Sequence, residues 1–313
     1  MIDWLAFVRS IHIAASILLA AVFAFPLIVL WPVTSGCGDI DKFQPWFKAT
    51  QDRLAVASWI MVIFSGFAWF ELVAASIASE VTSLGVSPEA LKIILFQTQF
   101  GHLWLVRSGF CFAMGLLFFR RRRELIKAIL SLAILGSLAW AGHAGANISS
   151  AGPVALAGDL GHLTAAALWP GGLVPFVFVL CRERRGADNQ RFVAEVVRRF
   201  SAVSLAAVAF LGATGLLNAY FIVGSVRALY VTPYGQLLLV KIALFLLMIG
   251  FGAWNLLIVK PGLIRLAMVE SQRPSSAPKL VESLVRNVIC ETILAGGVLL
   301  VVGFLGVTPP PMH

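Results

Sequence analysis

Five histidines, His12, His102, His143, His162 and His313, are the side chains of this sequence best equipped for chemistry. Neutral imidazole is the commonest metal ligand near neutral pH and suits copper, zinc, iron and nickel. His12, His143 and His162 lie in three different apolar segments, so three helices could converge them into a three-nitrogen site, or pairs of them could hold a haem through its axial positions. A single histidine inside a membrane is more often a hydrogen-bonded packing residue than a ligand, and it is the convergence of several that points to a site. Asp159 precedes His162 by three residues, on the same helical face, where it either orients the imidazole or caps the helix start. Asn147, four residues after His143, carries the same two readings.

Other ionisable or soft side chains are few. Arg9, Glu71, Arg107, Lys241 and Glu291 sit inside apolar runs, where a charge is expensive and normally pairs or lines a pathway. Glu71 and Arg107 are expected to pair, whereas Glu71, Cys111 and Glu291 are the positions that could pass a cation inward. The four cysteines form no C-x-x-C pair, and Met61, Met114 and Met248 lack the spacing of a thioether relay.

The elements that must position these residues follow from composition. Of 313 residues 59% are hydrophobic and only 12% charged, and the mean hydropathy is +0.91; a soluble domain carries roughly 25% charged residues. The solvent is therefore a lipid bilayer. Each helical span needs roughly 20 apolar residues, and the apolar runs are far too long for barrel strands. The expectation is an all-α polytopic membrane protein of about eight transmembrane helices, near 4–31, 55–79, 98–119, 124–146, 157–181, 199–223, 235–259 and 288–307. The first run has no basic leader before it and is of span length, so it reads as a retained span. The net charge of +9 resides in short clusters between spans, which excludes nucleic acid as a partner.

Arg120 to Arg123, Arg182 to Arg199 and Lys260 to Arg286 fall in alternate loops, and the positive-inside rule makes those loops cytoplasmic and both termini periplasmic. All five histidines then lie toward the periplasmic side. The halves also resemble each other: Thr98-Gln-Phe-Gly-His-Leu-Trp-Leu-Val-Arg107 matches Thr232-Pro-Tyr-Gly-Gln-Leu-Leu-Leu-Val-Lys241 at seven of ten positions, counting Phe/Tyr and Arg/Lys as alike, and His12-Ile-Ala-Ala echoes His162-Leu-Thr-Ala-Ala. This predicts two parallel four-helix repeats, residues 1–146 and 147–313, within one integral membrane domain, with a site expected at their interface.

Gly158-Asp-Leu-Gly-His-Leu-Thr-Ala-Ala-Ala-Leu-Trp-Pro-Gly-Gly-Leu173, with Gly142-His143-Ala144 before it and Thr214-Gly-Leu-Leu-Asn-Ala219 after it, resembles the CopD family of bacterial copper-resistance inner-membrane proteins. Arg9-Ser-Ile-His12 and the Thr232 to Lys241 segment extend the likeness over nearly the whole chain. The resemblance implies a multi-pass protein of the bacterial inner membrane that handles copper, served by a separate periplasmic copper-binding protein of the CopC type. It carries the family histidines to His12, His143 and His162, with Trp169 and Asn218 as lesser motif positions. Pro170 departs from the family, which has an aliphatic residue there, and a kink below His162 is expected.

Three functions remain open at this point, a copper permease, a membrane redox protein and a scaffold for other copper-handling proteins whose histidines only pack. A copper permease would accept the ion at the outer histidines, His102 included or not, and pass it through the repeat interface without ATP, since no Walker motif or phosphorylation signature is visible. A membrane redox protein would instead keep a fixed copper or haem centre at the periplasmic face. The permease reading implies a transporter with no enzymatic activity; the redox reading implies electron transfer.

Overall fold

The computed structural model describes residues 2–34, 43–81, 88–120, 123–141, 152–183, 190–268 and 277–311, and these are helical almost throughout. Helix α1 is Ile2–Phe25, α2 Phe43–Val81, α3 Pro88–Gln97, α4 Gln99–Phe118, α5 Glu124–Gly136, α6 Gly152–Ala166, α7 Leu173–Glu183, α8 Gln190–Val223, α9 Val226–Val231, α10 Pro233–Trp254, α11 Lys260–Met268 and α12 Ala277–Leu305. Among the described residues seven stretches are long and apolar enough to cross a membrane: Asp3–Thr34, Phe43–Ile77, Gln99–Phe118, Leu156–Glu183, Arg191–Val223, Pro233–Arg265 and Lys279–Leu305. The expected span at 124–146 is described only as the 13 residues of α5 followed by a 3-10 stretch, Ser137–Ala141. That α-helix rises about 20 Å, against about 30 Å of hydrocarbon.

Lipid contact explains which apolar side chains remain uncovered. Phe64, Phe112, Leu216 and Ile293 are 69–72% exposed on mid-span surfaces, an arrangement untenable in water and ordinary against acyl chains. Trp4, Trp31, Trp140 and Trp254 stand half-exposed or more at helix ends, where indoles favour the membrane interface. Two helices also begin earlier than hydropathy alone predicts. The first turns of α2 and α8 carry charges that pair locally: Lys48 Nζ holds Asp52 and Glu124, both at 2.8 Å, and Glu195 holds Arg198 and Arg199.

At the centre lies α1, packed against α2, α5, α12 and the segment between α6 and α7. Its ties to α12 are polar as well as apolar. Arg9 donates to Gly306 O at 2.8 Å, and the Ser10 hydroxyl lies 3.2 Å from Leu300 O. Three helices pass through π-helical turns, at Pro26–Leu30, Ala167–Gly171 and Asn255–Val259. The cause is plainest at Pro26. Proline offers no N–H to Val22 O, and Gln51 of α2 donates to that carbonyl instead, at 3.3 Å. Pro170 sits inside the second π-turn, where the helix continues into α7 rather than ending.

One local geometry occurs twice. Thr98 caps α4 and Thr232 caps α10, each hydroxyl accepting from the N–H three residues on, Gly101 or Gly235, at 3.0 Å. Each hydroxyl also donates back four residues, to Ile94 O or Ala228 O, at 2.6 Å. A Cβ on Gly101 would lie 2.1 Å from Ile94 O, and one on Gly235 2.3 Å from Ala228 O, so both turns require glycine. The side chain after each glycine reaches back to a carbonyl, His102 Nε2 to Phe96 O at 2.8 Å and Gln236 Nε2 to Tyr230 O at 3.0 Å.

Candidate functional site

Helix α1 carries His12 into the protein interior, where it is 1% exposed. Its Nδ1 is 3.0 Å from Ser65 Oγ on α2, and its Nε2 is 2.6 Å from an Arg107 amino group on α4. A guanidinium has no lone pair to offer, so Nε2 is the acceptor and the proton resides on Nδ1, donated to Ser65. Ser65 in turn gives its hydroxyl proton to Met61 O. Arg107 is held by further acceptors at the end of α5, Ile134 O at 2.7 Å and the Ser137 hydroxyl. Gly66 makes the approach of α2 possible: a Cβ there would lie 2.8 Å from the Trp104 ring and 2.9 Å from His12 Cε1. The Trp69 ring centre is 5.4 Å from that of His12, with the Arg9 guanidinium on it at 5.6 Å. A void of about 10 Å³ adjoins His12, Trp104 and Arg107, room for at most one water.

His162, on α6, has a related but more open setting. Its Nδ1 lies 2.7 Å from Thr214 Oγ1 on α8, and Thr214 gives its single hydroxyl proton to Phe210 O at 2.7 Å. Nδ1–H is therefore the donor, and the lone pair is on Nε2. Lys241 of α10 is the electrostatic neighbour of His162, as Arg107 is of His12. Fixing one ring nitrogen by a hydrogen bond while the other keeps its lone pair is how metal-binding histidines are prepared.

The two settings use matching parts. A histidine of one span, His12 or His162, donates to a hydroxyl of the following span that is itself followed by glycine, Ser65-Gly66 or Thr214-Gly215, within electrostatic reach of a cation that ends a duplicated segment, Arg107 or Lys241. They differ in what meets Nε2. Arg107 occupies that of His12.

Other expected site residues are spread more widely. His143 and Asn147 lie outside the described residues. His102 is exposed and bonded to Phe96 O through Nε2, and Asp159 lies one turn before His162 on α6. Asn218 is exposed on α8, four residues beyond Thr214. Trp169 is buried in the π-turn and bonds to Glu291. Glu71 does not pair with Arg107, whose donors go to His12, Ile134 O and Ser137. Cys111 is buried one turn after Arg107. Among the described residues no three His, Cys, Asp or Glu side chains gather in a metal-holding group. Sequence reasoning missed Ser65, Gly66 and the partner role of Arg107; the signal was a small hydroxyl followed by glycine in mid-span, present in both halves.

Comparison with known proteins gives two family matches. Copper resistance protein D matches residues 194–305, and the Copper resistance protein D-like N-terminal domain matches residues 1–153. Copper transport protein CutJ of Bacillus subtilis (strain 168) is 32% identical over 182 residues, 55% of this chain and 33% of that protein. Copper resistance protein D of Pseudomonas syringae pv. tomato is 25% identical over 283 residues, 88% of this chain and 87% of that protein. Inner membrane protein YebZ of Escherichia coli (strain K12) is 30% identical over 177 residues, 56% of this chain and 60% of that protein. The chain thus spans about a third of one of these relatives and most of another. No solved structure matches.

Proposed function

Because the chain belongs to the copper resistance protein D family, we propose that this copper-handling, multi-pass inner-membrane protein moves copper ions across the membrane, accepting them at its periplasmic side on histidine nitrogens. The observation that carries the reading is the tautomer of His162. Thr214 holds Nδ1–H, and Nε2 keeps its lone pair in a part of the molecule that the positive-inside rule assigns to the periplasmic half. His162 is the first acceptor, with His143 as its partner from the neighbouring segment. His12 joins the shell when Arg107 withdraws from Nε2, which couples copper capture to a rearrangement of α4 against α1. Asp159 tunes the approach to His162, and His102 stands at the periplasmic rim.

The matched settings of His12 and His162, and the twin caps at Thr98 and Thr232, support a chain built from two repeats, residues 1–146 and 147–313. One relative bears copper transport in its name, which supports transport over a fixed centre. A separate periplasmic copper-binding protein of the CopC type is the proposed donor. Reconstitution into liposomes tests the function: wild-type protein passes copper, and His162→Ala lowers the rate at least tenfold with insertion unchanged. A wild-type rate in that variant contradicts the reading.

A further inference from the structure

A sizeable cavity that touches a buried charge lies at the other end of the second half. It has a volume of about 150 Å³ and is lined by Trp169, Phe200, Ser204, Asn255 and Glu291 among others. Asn255 stands about 20 Å further along the helix than Lys241, the neighbour of His162. The cavity therefore lies across the membrane from the histidines, close to the half-exposed Trp254 and the basic Lys260 and Arg265 that mark the cytoplasmic interface.

Glu291 is 3% exposed. Its Oε1 accepts from Asn255 Nδ2 at 2.8 Å, and Asn255 is itself fixed by Asn287, whose Nδ2 donates to Oδ1 at 2.8 Å. The Trp169 indole supplies a second donor to the carboxylate. Both donors are neutral, and Glu291 makes no ion pair among the described residues. Both also come from π-helical turns, Trp169 from Ala167–Gly171 and Asn255 from Asn255–Val259. Such turns cost helical hydrogen bonding and concentrate at functional sites. The Ser204 hydroxyl, which also lines the cavity, is buried with no hydrogen-bond partner.

A carboxyl group that accepts hydrogen bonds inside a bilayer, with no cationic side chain beside it, either keeps its proton or gives it up to a mobile cation. The space beside it, about 150 Å³, is large enough for an ion with part of its hydration shell. We propose that this cavity is a second copper station in the cytoplasmic half, where the Glu291 carboxylate, the Ser204 hydroxyl and water bind the cation after the histidines release it. The donors are all oxygen, which suits copper(II) better than copper(I). This inference rests on the copper-transport reading and names the inner half of its route.

The test is copper(II) bound at equilibrium to the full-length protein in detergent, counted after free metal is removed and examined by electron paramagnetic resonance. The comparison is wild type, His162→Ala, Glu291→Gln and Glu291→Asp. The station predicts that His162→Ala removes the nitrogen-coordinated signal and keeps an oxygen-coordinated one, that Glu291→Gln does the reverse, and that Glu291→Asp keeps both. Wild-type stoichiometry in Glu291→Gln overturns the station and leaves the histidine site standing; this includes the case in which Glu291 only carries a proton. Absence of copper from every protein, wild type included, overturns both. Should Glu291→Gln fail to fold, Glu291→Asp lacking the nitrogen-free signal in a monodisperse preparation overturns the station by itself.

Discussion

Arg107 and His12 form one buried donor–acceptor unit, with the guanidinium 2.6 Å from Nε2 and the opposite ring nitrogen tied to Ser65. A charged donor in a membrane interior is tolerable only when acceptors surround it, and Arg107 has three: His12 Nε2, Ile134 O and Ser137 Oγ. The unit joins α1, α2, α4 and α5, so His12 organises the first half of the chain before it binds anything.

His12→Ala should accordingly cost stability. Loss of an acceptor to a buried charge removes about 2 kcal/mol, read as a lower midpoint of thermal unfolding in detergent. His162→Ala breaks only a neutral bond to Thr214 and should shift that midpoint much less. Equal shifts in the two variants would mean that Arg107 finds another acceptor easily.

Gly66→Ala and Gly215→Ala provide a matched pair. The Cβ at position 66 meets Trp104 at 2.8 Å and His12 at 2.9 Å, whereas at position 215 nothing lies within 4 Å. Alanine at 66 should displace the imidazole, costing about 1–3 kcal/mol as overpacked interiors do, and alanine at 215 should be neutral or slightly stabilising. Similar tolerance at both positions, by unfolding in detergent, would refute the close approach of α2 to His12.

Thr214→Val keeps the shape of the side chain and removes the hydroxyl that fixes His162. Copper affinity at the periplasmic site should fall about 10–100-fold, the usual effect of losing the group that orients a ligating histidine, and Thr214→Ser should restore it. Isothermal titration with copper distinguishes these outcomes; unchanged affinity in Thr214→Val would show that the tautomer of His162 does not matter.

The membrane architecture was legible because hydrocarbon imposes length and polarity at once, and the twenty residues from Ile11 to Leu30, uncharged apart from His12, have the length of a span. The first turns of α2 and α8 were not, since Lys48, Asp52, Glu195 and Arg198 look like loop residues until their ion pairs are seen. At the site, the types and depths of His12 and His162 could be read, but not their partners. Arg107 looked like a structural charge paired with Glu71, because spacing along one strand of sequence cannot reveal which helix faces which. The likeness between Arg107 and Lys241 did carry the information, and it became interpretable once Arg107 was found bonded to His12 and Lys241 within electrostatic reach of His162. The Glu291 cavity depends on π-turns at Trp169 and Asn255, and Pro170 and Pro261, which lie in the first and two residues beyond the second, do not by themselves reveal which side chains the turns bring together.

Copper uptake into liposomes containing the full chain, wild type beside His162→Ala, tests the central claim most directly. The account predicts a copper flux in wild-type vesicles that falls at least tenfold in the variant while the protein remains folded and inserted. Equal flux in both, or none above empty vesicles with wild-type protein, would contradict it.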